Sequence, residues 1–298
     1  MKTHYLSIEE TAAKWGKTPR NVRQHCKKGH IPGVTTEGKS WRIPETARDP
    51  GHSTRRKQRK FLILRTLLDE KRNGTKNGIY HHLQINFAYD SNHMEGSRLT
   101  HDQTRWIYET QTIGSIGPDV PVDDLLEAAN HFRCVDMVLE TVGAALTETY
   151  VKKLHAQLKS GTTDSRKAWF AVGDYKKIDN MVGALDTTPA KDVPAAMAAL
   201  LARYRAGEKS FENILDFHVA FESIHPFQDG NGRIGRLLLL KECLKYRIPP
   251  FIIPDSIKTF YYQGLDDWRA GNRLRLLDTC RTGQDLFAEA LQKLGYPV

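Results

Sequence analysis

Apolar residues recur at intervals of three and four through most of the chain after residue 60, and this spacing constrains the fold most strongly. Segments such as DDLLEAANHFRCVDMVLE and FENILDFHVAFESI show it clearly, and it is typical of amphipathic helices that share one core. Between two such segments, GDYKKIDNMVGALDTTP has turn residues at both ends and short β-like pieces inside. The sequence therefore predicts a mostly α-helical body that carries a β-hairpin flap on its surface.

The first 48 residues have a different organisation. Ser7 and Glu10 form a capping box for a first short helix, and Thr18 with Pro19 forms the cap and first position of a second. The segment GVTTEGKSWRIP then predicts a small hairpin. Two helices followed by a hairpin resemble the winged helix-turn-helix of the excisionase and MerR-like group, and the resemblance implies DNA binding.

The basic charge of the chain is concentrated near the same end. Residues 1–60 hold 15 of the 44 Lys and Arg residues and 5 of the 35 Asp and Glu residues. Their net charge is thus +10, against +9 for the whole chain. This imbalance predicts a partner that is a polyanion, with a solvated basic helix as the alternative. The DNA-binding candidates on the second helix are Arg20, Arg23, Gln24, Lys27 and Lys28.

The segment HPFQDGNGRIGR, residues 225–236, is not explained by core packing. A proline disfavours helix at its start, and two glycines precede a new helix, so free N–H groups meet at a helix N-terminus and predict a phosphate site. Arg233 and Arg236 add guanidinium groups for phosphate oxygens. Asp229 suits such a site if Mg²⁺ joins it. His225, at the mouth, is suited to take a proton from a hydroxyl.

These twelve residues match each fixed position of H-x-F-x-[DE]-G-N-G-R-x-x-R, the signature of the Fic (Fido) family of AMP-transferases, and the chain resembles that family over roughly residues 90–280. The resemblance implies that His225 deprotonates a target hydroxyl, which attacks the α-phosphate of ATP, while Asp229 holds Mg²⁺. For Tyr261 and Tyr262, an ordinary place in the core is the alternative. The implied nucleotide contacts are Asp229, Gly230, Asn231, Gly232, Arg233, Ile234, Gly235, Arg236, Val182, Gly183, Ala184, Leu185, Tyr261 and Tyr262.

A second segment, DSNHMEGSRL, resembles the inhibitory motif of the same family, [ST]-x-x-x-E-[GN]. Ser91, Glu95 and Gly96 match its fixed positions, and the first two share one face if they lie on a helix. The resemblance implies that Glu95 occupies Arg236, so that ATP binds with its α-phosphate misplaced for attack. A solvated glutamate at a helix end is the alternative.

The predicted function is transfer of AMP from ATP to a Ser, Thr or Tyr hydroxyl of a protein, the chain itself included, under inhibition by Glu95. Two alternatives stay open. One is a DNA-binding transcriptional regulator whose Fic body is a sensor, and the other is a Fic enzyme that removes AMP or transfers another phosphate-containing group. The predicted segments are a winged helix-turn-helix at 1–48, a basic linker at 49–60, a helical region at 61–148 with the inhibitory motif at 91–96, the Fic catalytic domain at 149–284 and a tail helix at 285–298.

Other features bound the cellular setting. An apolar run of 18 residues and an apolar leader are both missing from the sequence, which predicts no contact with a membrane. The four cysteines are far apart and form no C-x-x-C pair, so we expect a reducing, cytoplasmic setting without a zinc site. Relatives in the family form dimers, and a homodimer stays an open alternative here.

Overall fold

The computed structural model describes residues 4–38, 40–50, 55–113, 120–182 and 185–296, and only the backbone of residues 55–62, 182 and 185. The described chain is mostly helical, as predicted. Its helices are α1 (Ile8–Trp15), α2 (Pro19–Lys27), α3 (Arg55–Asn73), α4 (Ile79–His93), α5 (His101–Thr110), α6 (Val122–Glu140), α7 (Glu148–Leu158), α8 (Val193–Ala206), α9 (Phe211–Ile224), α10 (Asn231–Lys245), α11 (Lys258–Arg269) and α12 (Leu274–Lys293). Its strands are β1 (Tyr5–Leu6), β2 (Thr35–Glu37), β3 (Ser40–Pro44), β4 (Met181–Val182) and β5 (Leu185–Asp186).

The N-terminal residues build a small unit with a core of its own. The predicted capping box of α1 is present, since the Ser7 hydroxyl accepts the Glu10 N–H at 3.1 Å and Glu10 accepts the Ser7 N–H at 2.8 Å. Strands β1, β3 and β2 lie in that order and pair antiparallel, and the β2–β3 hairpin places Glu37 opposite Ser40. Two helices and a hairpin thus occur in the predicted order. The core of this unit is Ile8, Ala12, Val22, Cys26, Ile31 and Ile43.

The helical body is built around α10, almost all of which is buried. Helices α4, α6, α7 and α9 pack around it, because its apolar residues continue on every side. The packing of the body around α10 therefore fixes the position of its N-terminus. None of the described helices is long and apolar enough to cross a membrane.

Two predicted boundaries differ from the structure. Helix α3 begins at Arg55, so the predicted linker 49–60 is helical in its second half, because Arg, Lys and Gln are good helix formers. Helix α12 continues through residues 284 and 285, so no separate tail helix begins there. Its buried side chains recur without a break from Leu276 to Leu291, and this stripe holds the helix in one piece.

Candidate active site

The segment 225–230 is a tight loop between α9 and α10. Helix α9 ends at Ile224 and is capped by His225, whose φ of 52° is left-handed, and α10 begins after Gly230, whose φ is 83°. Asn231 closes the loop, because its Oδ1 accepts the Phe227 N–H at 2.8 Å and its Nδ2 donates to the Phe227 carbonyl at 2.8 Å. The first N–H groups of α10 have no partner within the helix and can meet an anion.

The buried side chain of Phe227 anchors this loop in the core. Phe227 is fully buried, and its ring stacks on His155 with centroids 3.9 Å apart. His155 accepts the Gly173 N–H at its Nδ1 (2.9 Å), so its Nε2 donates to the Asp229 carbonyl (3.1 Å). Burial lowers the pKa of His155 to about 4, which keeps the ring neutral and this tautomer in place. The loop is therefore held from two sides.

His225 has the properties of a proton acceptor. Its side chain is partly buried, and its Nδ1 has no hydrogen-bond partner among the residues that the structure describes. Burial, together with the nearby charge of Lys176, lowers the pKa of His225 to about 4. The imidazole is therefore neutral at pH 7 and can accept a proton. A left-handed conformation is uncommon for residues other than glycine, and such conformations cluster at functional sites.

Asp229 belongs to an ionic network that the sequence analysis did not find. Its Oδ2 lies 2.7 Å from Lys159 Nζ and 3.0 Å from Arg233 Nη2. Glu127 joins the network, since it lies 2.6 Å from Lys159 Nζ and contacts Arg233 Nη1. Burial raises the pKa of Asp229, but Arg233 and Lys159 outweigh it and hold that pKa well below its usual range. Asp229 is thus a carboxylate at any physiological pH, and 45% of its side chain stays exposed.

Arg233 lies deeper than the sequence analysis expected. It is 3% exposed, and its two terminal nitrogens are engaged by Glu127 and Asp229. In this structure Arg233 therefore orients Asp229. Only its Nε has no hydrogen-bond partner among the described atoms.

Arg236 is held by the predicted inhibitory motif. Its Nη2 donates to Glu95 Oε1 at 2.7 Å and to the Ser91 carbonyl at 2.8 Å, while its Nε donates to the Ser91 hydroxyl at 3.0 Å. Helix α4 ends at His93, so Glu95 reaches Arg236 from the turn beyond the helix. Gly96 continues this turn with a φ of 94°.

The contact between Glu95 and Arg236 depends on a glycine in α10. A Cβ atom at Gly232 would lie 2.3 Å from Glu95 Oε1 and 3.0 Å from Arg236 Nη1. Since real Cβ atoms do not approach that closely, an alanine at this position displaces Glu95. Glu95 of the inhibitory motif therefore packs directly against Gly232 and Arg236 of the signature.

A buried polar cluster lies behind Arg236, and no sequence pattern pointed to it. His218 Nε2 lies 2.6 Å from the Tyr261 hydroxyl. Burial raises the pKa of Glu222 to about 7, and its Oε1 has no hydrogen-bond partner in the described part of the chain. A Cβ atom at Gly235 would lie 2.2 Å from that oxygen, so Gly235 makes room for the cluster.

Three of the expected nucleotide contacts, Ile234, Gly235 and Tyr261, face the core or the buried cluster in this structure. Ile234 is fully buried in the core and its N–H donates to the Gly230 carbonyl, so it anchors α10. Gly235 faces the buried cluster. Tyr261 is 1% exposed, which matches the core alternative, whereas Tyr262 is 39% exposed and donates to the Met94 carbonyl at 3.2 Å.

The predicted flap is tied to the loop at its base. Strands β4 and β5 pair antiparallel, with Val182 opposite Leu185, while Gly183 and Ala184 lie outside the described residues. The Lys176 N–H donates to the Pro226 carbonyl at 2.8 Å, and its ammonium donates to Asn180 Oδ1 at 2.6 Å. The backbone of this hairpin therefore starts beside His225.

The predicted DNA-binding residues fall into two rows on α2. Arg20, Gln24 and Lys28 form the row that lies beside α11 and α12, and Arg23 and Lys27 form the neighbouring row, which is exposed. The Arg20 guanidinium lies 4.6 Å from the centre of the Phe260 ring, and Lys28 forms an ion pair with Glu289.

The N-terminus of α10 is set in a helical bundle beside a neutral histidine, and N–H groups that are free at a helix N-terminus are suited to bind an anion such as phosphate. Residues 145–243 match the model of the Fic/DOC family, so this part of the chain is similar to Fic domains. A curated relative, the protein adenylyltransferase Fic of Drosophila grimshawi, is 29% identical over 191 residues, which cover 59% of this chain and 36% of the relative. Relatives with that name are nucleotidyltransferases.

Solved structures show the same fold. A Fic domain containing signaling protein from Bacteroides thetaiotaomicron superposes with a TM-score of 0.63 at 23% identity, over 82% of this chain and 97% of that one. Fic-1 of C. elegans (residues 134–508) gives a TM-score of 0.61 at 16% identity, over 80% and 73%. The chain spans about a third of the length of the curated relatives it matches.

Proposed function

We propose that the protein transfers AMP from ATP to a hydroxyl group of a protein side chain, and that Glu95 inhibits this transfer. One observation carries the proposal: Arg236 of the signature is buried and hydrogen-bonded by Ser91 and Glu95 of the inhibitory motif. An arginine kept at a phosphate loop and occupied by a carboxylate is the arrangement that a reversible inhibitor of nucleotide binding requires.

The phosphate chain of ATP is proposed to lie over the N-terminus of α10. The N–H groups of Gly230, Asn231 and Gly232 would hold the phosphate oxygens, since the helix dipole favours anions there. The exposed, ionised carboxylate of Asp229 suits Mg²⁺, which binds one or two protein carboxylates together with substrate phosphates. No cluster of three or more His, Cys, Asp or Glu side chains that could hold a metal occurs among the described residues. Bound Mg²⁺ would supply charge that neutralises phosphate oxygens.

His225 is proposed to be the general base. Its neutral imidazole accepts the proton of a Ser, Thr or Tyr hydroxyl as that oxygen attacks the α-phosphorus. A new bond forms between the hydroxyl oxygen and the α-phosphorus, and the bond to the bridging oxygen of the β-phosphate breaks. Pyrophosphate leaves and carries the negative charge, so the AMP group is transferred without oxidation or reduction.

The inhibition is proposed to be a competition for Arg236. One guanidinium group cannot pair with both Glu95 and the γ-phosphate. While Glu95 holds it, the triphosphate lacks one anchor and its α-phosphorus is not aligned with an incoming hydroxyl. Removal of the carboxylate therefore raises the rate of transfer.

A second activity is proposed for the N-terminal unit, namely binding of DNA. The basic excess of residues 1–60 favours a polyanion, and the described order of two helices and a hairpin is compatible with a winged helix-turn-helix. These two activities do not exclude each other, because they use different surfaces.

The test of the transferase is intact mass spectrometry after incubation with MgATP. We expect Glu95→Gly to gain one or more adenylate units faster than the wild type, and His225→Ala to gain none. Glu208→Gly, which alters an exposed glutamate elsewhere, serves as the control and should equal the wild type. Equal labelling of the wild type, Glu95→Gly and His225→Ala would refute the assignment, and loss of adenylate from a pre-labelled protein would instead identify AMP removal.

A further inference from the structure

Helix α2 packs with one of its two basic rows against the C-terminal helices of the body. The Thr18 hydroxyl, at the start of α2, donates to Asp278 Oδ2 at 2.7 Å. At the other end of α2, Lys28 forms an ion pair with Glu289. Between them, His25 Nε2 lies 3.9 Å from Asp285 Oδ2. Carboxylates of α12 therefore follow α2 along its length.

These carboxylates form one face of α12, which we call the acidic face: Asp278, Asp285 and Glu289. The spacings of seven and four residues place them along a single side of a helix. The acidic face thus presents a row of negative charges to a basic helix, as the phosphates of a DNA strand would. The side chains of Lys28 and Glu289 are 30% and 38% exposed, so the contact is open to solvent and can separate.

The contact is not a closely packed core. A cavity of about 420 Å³ lies between the two parts, with Arg20 and Gln24 on one side and Phe260, Arg275 and Asp278 on the other. Burial raises the pKa of Asp278, and its Oδ1 has no hydrogen-bond partner in the described part of the chain. Polar and charged side chains of both parts therefore line this contact.

We propose that the acidic face of α12 occupies the surface of α2 that duplex DNA uses, so that the packed arrangement and DNA binding exclude each other. The inference rests on the proposed DNA binding of the N-terminal unit. The row of Arg20, Gln24 and Lys28 cannot enter a groove while it faces α11 and α12. DNA must displace the acidic face, and this competition lowers the apparent affinity of the protein for DNA.

Fluorescence anisotropy with a labelled duplex of mixed sequence, in the absence of ATP, tests the competition. The test variant removes the three carboxylates by isosteric substitution, and the control removes three carboxylates elsewhere, so both change the net charge equally. We expect the test variant to bind the duplex about tenfold more tightly than the control, because three partly exposed contacts are lost. The test variant is Asp278→Asn/Asp285→Asn/Glu289→Gln, and the control is Asp69→Asn/Asp102→Asn/Asp192→Asn.

A second set of variants identifies the row that meets DNA. In the background of the test variant, Arg20→Ala/Lys28→Ala should abolish the gain in affinity. Arg23→Ala/Lys27→Ala should weaken the test variant and the wild type by the same factor. If the triple substitution prevents folding, Glu289→Gln alone, at an exposed pair, should still tighten binding by about twofold.

The outcomes separate the two proposals. Equal affinity of the test variant and the control for the duplex would overturn the competition but leave DNA binding in place. A gain in affinity that persists after Arg20 and Lys28 are replaced would do the same. Failure of the test variant to bind any duplex at low salt would overturn DNA binding, and the competition with it. Neither result bears on AMP transfer, since no nucleotide is present.

Discussion

Substitution of Glu95 by alanine should destabilise the protein and at the same time strengthen its response to nucleotide. Removing one partner of a buried ion pair typically costs about 3–5 kcal/mol. Here 27% of the Glu95 side chain is exposed, and Arg236 keeps its two hydrogen bonds to Ser91. We therefore expect Glu95→Ala to lower the free energy of unfolding by about 2 kcal/mol, with a smaller loss for Glu95→Gln, which still accepts a hydrogen bond.

MgATP should narrow the difference in stability between the wild type and Glu95→Ala. A ligand at one hundred times its dissociation constant stabilises a protein by about 2.7 kcal/mol. In Glu95→Ala the γ-phosphate replaces the lost carboxylate, so the gain should exceed that of the wild type by about 1–2 kcal/mol. Urea unfolding with and without MgATP measures both quantities, and Asp102→Ala, at an exposed ion pair, is the control. Equal stabilisation of the wild type and Glu95→Ala by MgATP would contradict the competition for Arg236.

Two further predictions concern Gly232 of α10 and the buried carboxyl group of Glu222 in α9. Gly232→Ala should lower the free energy of unfolding of the wild type by about 1–3 kcal/mol, because the new Cβ displaces Glu95. In a Glu95→Gly background the same substitution should cost much less. A double-mutant cycle by urea unfolding measures this coupling, and additive costs of the two substitutions would refute it. Glu222 has a pKa raised to about 7, so the native state keeps a proton that the unfolded state loses. As pH rises from 4.5 to 7, the free energy of unfolding of the wild type should therefore fall by about 3 kcal/mol relative to that of Glu222→Gln. A constant difference between the two proteins over that range would refute the raised pKa of Glu222.

Local patterns were sufficient for the parts of the site that depend on neighbouring residues. The end of α9 before His225, the start of α10 after Gly230 and the caps of α1 follow from residue types within a few positions. The contact between Glu95 and Arg236 joins residues 141 apart in the chain, and it was predicted only because both belonged to patterns that resemble one family.

Other parts of the site could not be read from the sequence. Lys159, at the end of α7, contacts Asp229, and Glu127 of α6, 32 residues earlier in the chain, contacts Lys159. Neither residue stands in a distinctive pattern. Whether Tyr261 or Tyr262 faces the core depends on the rotation of α11, which the packing of neighbouring helices sets. The contact of α2 with the acidic face of α12 likewise depends on how two separately folded parts come together.

The central claim is that loop 225–230 holds the phosphates of ATP and directs the α-phosphorus toward His225. The most direct test is a crystal structure of Glu95→Gly with Mg²⁺ and a non-hydrolysable ATP analogue. We expect triphosphate oxygens on the N–H groups of Gly230 to Gly232, the γ-phosphate on Arg236, and the α-phosphorus exposed to an oxygen within reach of the His225 imidazole. An analogue bound elsewhere, with the loop unchanged and Arg236 not in contact with phosphate, would refute phosphate binding by this loop.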